Sequence, residues 1–222
     1  MITKMQITEM FPSVNGEGDE IGHRTLFVRT YGCNADCPGC DTPYSKGEGC
    51  DIETIEPQAI LDECKKFNLK HVTFTGGEPF IQKYIMEFIE WLQQRGIVIS
   101  IETNGMIFRD GMRRVHVVVS PKPWMLITKN RDSYFRWAVI GATFKFAGAP
   151  DDVRRIRKWF KILRLKKAYI QPWIDPKKTN VTGMRAAFLN LLDEVNKQFK
   201  AGEDIRVVPQ MHKYIWLDKR GV

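Results

Sequence analysis

Thr25-Leu-Phe-Val-Arg-Thr-Tyr31, then Gly32, then Cys33-Asn-Ala-Asp-Cys37-Pro-Gly-Cys40, is the stretch that decides the fold. Its first half is rich in apolar and β-branched residues, the composition of a buried strand. Its second half puts three thiols within eight residues, a loop compact enough to wrap one small inorganic centre. Thiolates select zinc or an iron-sulfur cluster, but a closed zinc site takes four ligands and usually presents them as two separated pairs. Three cysteines spaced x3 then x2 suit a cubic 4Fe-4S cluster, leaving one iron without a protein ligand and free to bind a reactant. On spacing alone, a Cys3His zinc knuckle completed by His23 or His71, or simple buried thiols, compete with that reading.

Outside this stretch the chain is ordinary globular material. Its 222 residues, 43% hydrophobic and 11% aromatic, suffice for one domain with a substantial core. No apolar run approaches the roughly 20 residues that span a bilayer, and Met1–Met10 lacks the continuous apolar core of a signal peptide, so a cytoplasmic protein is expected. Five cysteines, three of them crowded together, do not read as a disulfide framework, and Cys50 and Cys64 look incidental. The formal charge of +8 is concentrated between Arg154 and Lys167. There Val153, Ile156, Phe160 and Leu163 recur at helical spacing, so the charges form the outer face of an amphipathic helix. No stacking aromatics are interleaved on the polar side, which argues against nucleic-acid binding; an acidic electron donor is a partner such a face could take.

Taken in order, the chain alternates strands and helices. Strands are expected at 25–31, 71–75, 97–101, 115–119, 142–146, 168–170 and 205–208, with helices at 57–67, 81–95, along the basic stretch and at 181–199. Such alternation with strongly apolar strands means a parallel sheet covered by helices. Polar clusters follow the strands: Cys33, Thr75–Pro79, Glu102–Gly105, Ser120–Lys122, Lys145, Gln171–Pro172 and Gln210–Lys213. The C-terminal tips of parallel strands share one edge, where α/β proteins bind ligands, so these stretches should converge on one site. A doubly wound sheet would meet the same pattern, but six strand-helix units beginning at the cysteine loop favour a partial (β/α)6 barrel. One domain over residues 1–222 is expected, with about 203–222 closing the site.

The cysteine triplet, together with Thr75-Gly-Gly-Glu-Pro79, resembles the signature of the radical S-adenosylmethionine (SAM) superfamily. Further matches run nearly end to end: Met10-Phe-Pro-Ser-Val-Asn-Gly-Glu-Gly18, Cys40-Asp-Thr42, Glu102-Thr-Asn-Gly105, Val119-Ser-Pro-Lys122, Lys145-Phe146, Gln171-Pro172 and the tail from His212 to Val222. Together they resemble the 7-carboxy-7-deazaguanine synthase family. Asn15 departs from it, since the family often has glutamine there; the amide is kept but its reach is shorter.

The resemblance implies a lyase that rearranges 6-carboxy-5,6,7,8-tetrahydropterin to 7-carboxy-7-deazaguanine with loss of ammonia, in queuosine and deazapurine biosynthesis. It implies a 4Fe-4S cluster on Cys33, Cys37 and Cys40, SAM chelated to the open iron, and a 5′-deoxyadenosyl radical that takes hydrogen from the pterin. It further implies Mg2+, a homodimer and a flavodoxin- or ferredoxin-type electron donor. For SAM, the expected contacts are Gly76, Gly77, Glu78, Glu102, Ser120, Lys122 and Gln171. Glycines permit close backbone approach, and Glu78 can accept from the SAM ammonium. For the substrate they are Asn15, Glu17, Arg29 and His212, with the Arg29 guanidinium a bidentate fork for a carboxylate. Thr42, with Asp41 beside it, offers the hard oxygen that Mg2+ prefers.

Plainer roles compete: an ion pair for Arg29, turn chemistry for the loop residues, a helix cap for Glu102 or Thr42, a structural histidine for His212. A glycyl-radical-enzyme activase shares the triplet and Gly-Gly-Glu-Pro, but the Asn-Gly-Glu-Gly and Gln-Met-His-Lys stretches argue against it. A noncatalytic iron-sulfur or zinc module would not need so many convergent polar clusters.

Overall fold

The computed structural model describes residues 3–47, 51–174, 180–217, 219 and 221, so Cys50 and parts of the C-terminal tail fall outside it. Among the described residues nine strands form one row: β1 (Met5–Val14), β2 (Arg24–Thr30), β3 (Glu53–Ile55), β4 (His71–Gly76), β5 (Val98–Thr103), β6 (Val115–Val119), β7 (Thr143–Gly148), β8 (Lys167–Pro172) and β9 (Asp204–Val207). Their order is β3-β1-β2-β4-β5-β6-β7-β8-β9. From β2 onward each strand pairs parallel with the next in the row. Among these parallel strands the order never reverses. A doubly wound sheet reverses at its switch point, whereas a barrel advances strand by strand, so the partial barrel is the architecture formed.

Two features differ from the expectation. β1 and β3 form an antiparallel edge beside β2. β1 was missed because Pro12 interrupts it; β3 pairs only with Met5–Ile7, so Pro12 lies past that pairing, where no donor is needed on the outer side. β9, the strand expected at 205–208, pairs parallel with β8 as the last of the row. The strands are also not uniformly apolar. Leu26, Val28, Val72, Phe74, Ile99, Ile101, Val119, Phe144, Phe146 and Ile170 are buried. Most residues between them are polar and share the other face: the register aligns Arg29 with Thr75, Thr73 with Ser100, Ser100 with His116, and Lys145 with Tyr169. The period-2 alternation thus gives an apolar outside packed by helices and a polar inside that lines the barrel.

The helices are α1 (Pro57–Lys66), α2 (Ile85–Gln93), α3 (Arg131–Val139), α4 (Val153–Ile162), α5 (Val181–Gln198) and α6 (Met211–Trp216). α2 begins four residues later than its periodicity suggests, because Pro79–Ile81 makes a separate 3-10 turn that Glu78 caps by accepting from Phe80 N. α3 has a weak pattern, anchored by the buried Tyr134 and Trp137 within a polar sequence. In α4, Val153, Ile156, Trp159 and Phe160 are buried and the basic residues face outward, as expected of a solvated charged face.

Candidate active site

Between β2 and the cysteine loop the chain turns through Gly32, whose N–H donates to Ser45 O at 2.6 Å. Gly77 donates to Thr30 O and Glu78 to Gly32 O, so the Gly-Gly-Glu turn is stitched to the base of the loop. Only glycine fits here. A Cβ on Gly77 would stand 1.7 Å from Gly32 O, and one on Gly76, at φ +103°, would stand 2.6 Å from Thr30 N. These glycines therefore serve a close approach of the chain to itself, beside the one toward a ligand that the sequence suggested. Glu78 is likewise buried inside the turn. Its carboxylate accepts from Thr103 Oγ1 at 2.7 Å and Phe80 N at 3.2 Å on one oxygen and from Asn104 N at 2.8 Å on the other, so it braces the turn from within. Burial outweighs those donors and pushes its carboxyl up to about 7.

Cys33, Cys37 and Cys40 are partly exposed free thiols on this loop, and Cys37 feels both of the others electrostatically. Burial pushes the Cys37 thiol up to about 11. Burial raises the Cys33 thiol too, and the three clustered thiols fit a centre that takes thiolates, since metal binding releases thiol protons. Cys64 is buried in the core on α1 and far less suited. The zinc-knuckle reading fails: His71 begins β4 at the opposite end of the strands from the loop, and both His71 and His23 lie against Glu20. Asn104 Nδ2 donates to Asn34 Oδ1 at 2.7 Å, tying the loop to the tip of β5.

Inside the barrel the focus is a lysine. Lys145, 2% exposed, projects inward from β7 and pairs with Glu102 Oε2 of β5 at 2.6 Å and with Glu17 Oε2. Glu17 comes from the β1–β2 loop, where Asn15 Oδ1 accepts from Glu17 N at 3.0 Å. Its other oxygen accepts from Gln210 Nε2 at 2.8 Å and Gln171 Nε2 at 3.4 Å, with His212 Nδ1 3.8 Å away. Burial raises the Glu17 carboxyl, but Lys145 and His212 outweigh it and hold it well below the usual range. For Glu102, burial wins over the same lysine and the pKa is raised. Lys145 itself is held above its ordinary value because its two carboxylates overcome burial. Gly16 closes against the C-terminal segment: Met211 N donates to Gly16 O at 3.0 Å, and a Cβ on Gly16 would meet His212 N at 2.9 Å.

The other expected residues line the same face. Lys122 donates to Ser120 Oγ at 2.9 Å and lies over the Trp173 ring, and its pKa is lowered by burial and by Lys145. Arg29 shares the cavity face with Thr75, but its Nε is 2.6 Å from Glu9 Oε1, an ion pair that the sequence allowed as the competing role. Thr42 does not cap the turn at Pro43; its hydroxyl donates to Gly76 O at 3.2 Å and is 3.8 Å from Cys40 Sγ. Asp41 Oδ2 stands 3.5 Å from Lys213 Nζ. Sequence reasoning noted Lys145 and Gln210 without giving either a role. The available signal was a lysine at an inward position of an otherwise apolar strand, Thr143-Phe-Lys-Phe-Ala147.

A cysteine-triplet loop at the C-terminal mouth of a partial barrel, braced by a Gly-Gly-Glu turn, defines a radical SAM enzyme, and residues 27–117 match the Radical SAM superfamily. The chain is 30% identical to 7-carboxy-7-deazaguanine synthase of Bacillus cereus with 100% of both covered, and 31% identical to that of Thermoplasma acidophilum with 98% of this chain and 100% of the relative covered. It belongs to the 7-carboxy-7-deazaguanine synthase family. The fold agrees. QueE from Escherichia coli superposes with a TM-score of 0.68 at 21% identity, covering 94% of this chain and 95% of that one. Streptococcus suis SuiB bound to S-adenosylmethionine superposes at 0.56 and 11% identity, with 82% of this chain and 46% of that one covered.

Proposed function

We propose that this chain converts 6-carboxy-5,6,7,8-tetrahydropterin to 7-carboxy-7-deazaguanine with loss of ammonia, as the name of its relatives and the donor set of its cavity support. The observation that carries the reading is the Glu17–Lys145–Glu102 cluster, with Gln171, Gln210 and His212 around it. A pterin presents a donor-rich edge and a carboxylate, and this cluster supplies carboxylates, amides and a cation in one enclosure.

Cys33, Cys37 and Cys40 would hold the 4Fe-4S cluster, and Gly76, Gly77, Ser120, Lys122 and Gln171 would line the SAM position, with Glu78 keeping the turn in place. When bound, the cluster and SAM together supply an electron and a radical strong enough to remove hydrogen from a C–H bond. The protein's part is binding, orientation and proton handling. Asn15 and Glu17 accept from the pterin edge, and His212 closes over it. Arg29 exchanges Glu9 for the substrate carboxylate, a bidentate partner of equal charge. Glu102, raised by burial and 2.6 Å from a lysine that is held protonated, is suited to pass a proton as ammonia departs. Thr42, with Asp41 beside it, would hold a Mg2+, which would supply positive charge for the substrate carboxylate. Gln210 and His212, from the C-terminal segment, close the cavity. A homodimer and a flavodoxin- or ferredoxin-type donor complete the expected assembly.

The test is incubation of reduced, cluster-loaded protein with SAM and the carboxytetrahydropterin, following the deazaguanine chromophore. Product formed with no partner protein supports the reading. A strict requirement for a second protein, with a glycyl radical appearing in its EPR spectrum, would replace it with the activase.

A further inference from the structure

The opposite mouth of the barrel, at the N-terminal ends of the parallel strands, carries a second cluster that the reaction does not use. Glu20 ends the Gly18–Glu20 turn, His23 follows on the same loop, and His71 opens β4. One ligand atom from each of the three lies within 4.8 Å of the others. His71 Nε2 is 3.4 Å and His23 Nδ1 3.5 Å from the same oxygen, Glu20 Oε2. Those separations exceed the roughly 2.7–3.2 Å of an N–H···O hydrogen bond. They match instead the edge of about 3.4 Å of a tetrahedron whose corners stand about 2.1 Å from a zinc ion.

From this geometry we propose that Glu20, His23 and His71 form a second metal site, for a zinc-class divalent cation, distinct from the cysteine loop. Two imidazoles and a carboxylate are a zinc ligand set that leaves the fourth position to water. A supporting shell surrounds it. His116 Nδ1 lies 3.3 Å from the other Glu20 oxygen, and Asp19 Oδ1 lies 3.3 Å from His116 Nε2. Ser100 Oγ is 3.3 Å from Glu20 Oε2 and 2.7 Å from His71 Nε2, so metal binding requires its hydroxyl to rotate off the imidazole nitrogen, which leaves it free to donate to the carboxylate. Partners of this kind orient ligands and are commonly worth tenfold to a hundredfold in affinity. Glu20 and His23 belong to the loop that also carries Glu17, whereas His71 belongs to the barrel wall. An ion there cross-links the two and fixes the loop from below.

The experiment uses anaerobic, cluster-loaded protein, so that the loop thiolates are occupied, treated with a chelator and then titrated with zinc chloride. One zinc per chain beyond the cluster iron is expected, with nitrogen and oxygen but no sulfur in its first shell by X-ray absorption, and a raised Tm. His23→Ala, whose side chain is 63% exposed, keeps the fold and should weaken zinc binding at least tenfold and abolish the Tm gain. Glu20→Gln should do the same. No zinc bound at micromolar free metal, sulfur in the zinc shell, or unchanged affinity in His23→Ala would each overturn the site, whatever the activity of the enzyme.

Discussion

Lys145 Nζ lies 2.6 Å from Glu102 Oε2 while the same ammonium holds Glu17, so one buried cation joins the barrel wall to the loop between β1 and β2. The C-terminal segment reaches that carboxylate too, through Gln210. Three parts of the chain far apart in sequence therefore meet on one lysine, and its charge decides whether two buried carboxylates can remain ionised.

Lys145→Met is accordingly expected to cost about 3–5 kcal/mol at neutral pH, because it strands two buried charges. The sign of the pH dependence follows. Glu17 is held below its ordinary 4.5, so its contribution to wild-type stability is present above that value and fades as pH falls beneath it. Without the lysine, burial raises both carboxyls, and protonation relieves the variant as pH falls. The Tm gap between wild type and variant should be widest near pH 8 and shrink toward pH 4.5. A gap independent of pH would show that the ion cluster does not carry the effect. Adding Glu102→Gln to the methionine variant should restore part of the loss.

Cys64→Ala should leave iron content and turnover unchanged, since Cys64 is 1% exposed in the core on α1 and apart from the loop. It removes only a small buried side chain, a cost of about 1 kcal/mol. Cys33→Ala, Cys37→Ala or Cys40→Ala should each abolish the cluster absorption in anaerobically reconstituted protein. Loss of the cluster in Cys64→Ala would overturn the ligand assignment.

How far the sequence carried this can be judged from particular elements. β4, β6 and α4 were legible because their patterns are strong: Val72 and Phe74 are buried on β4, and Ile156 and Phe160 mark the core face of α4. The cysteine loop and its place after β2 were legible from spacing. Lost were features decided by long-range contacts. Arg29 reads as an anion fork, yet which carboxylate it meets depends on Glu9 arriving from an antiparallel neighbour. Glu78 reads as a ligand, and its bracing bonds to Thr103 and Asn104 come from a strand tip that no local pattern connects to it. The cluster at Glu20 joins residues up to 51 positions apart, His71 to Glu20, that no local pattern connects.

Glu78→Gln probes the buried turn. A carboxyl raised to about 7 favours the protonated folded state, so its contribution is present below the ordinary 4.5 and is lost as pH rises to 7. The full swing is on the order of 3 kcal/mol. Glutamine does not titrate and carries only a constant penalty for the donors at Thr103, Asn104 and Phe80 that it satisfies less well. The Tm advantage of wild type over the variant should therefore narrow between pH 5 and pH 8. If it widens, the hydrogen bonds dominate over burial and the carboxylate is ionised throughout.

Thr42 is the residue at which the loop, the glycine turn and the Mg2+ proposal meet. Its hydroxyl donates to Gly76 O at 3.2 Å and lies 3.8 Å from Cys40 Sγ, and it makes no capping bond to the Pro43–Lys46 turn. Thr42→Ala loses the bond to Gly76, worth about 1 kcal/mol, and the long contact to Cys40 Sγ, but keeps all three thiols on the loop. Iron content and SAM affinity should therefore be kept. A hydroxyl that also serves as a neutral Mg2+ ligand has a second effect: its loss weakens metal binding while substrate oxygens and waters remain. Turnover should fall on the order of tenfold to a hundredfold at fixed Mg2+, with the magnesium titration displaced to higher concentration and partly recovered at saturation. Thr42→Ser keeps the oxygen and should track wild type. Superimposable magnesium curves for wild type and Thr42→Ala at saturating pterin would confine Thr42 to bracing Gly76 and remove it from the metal site.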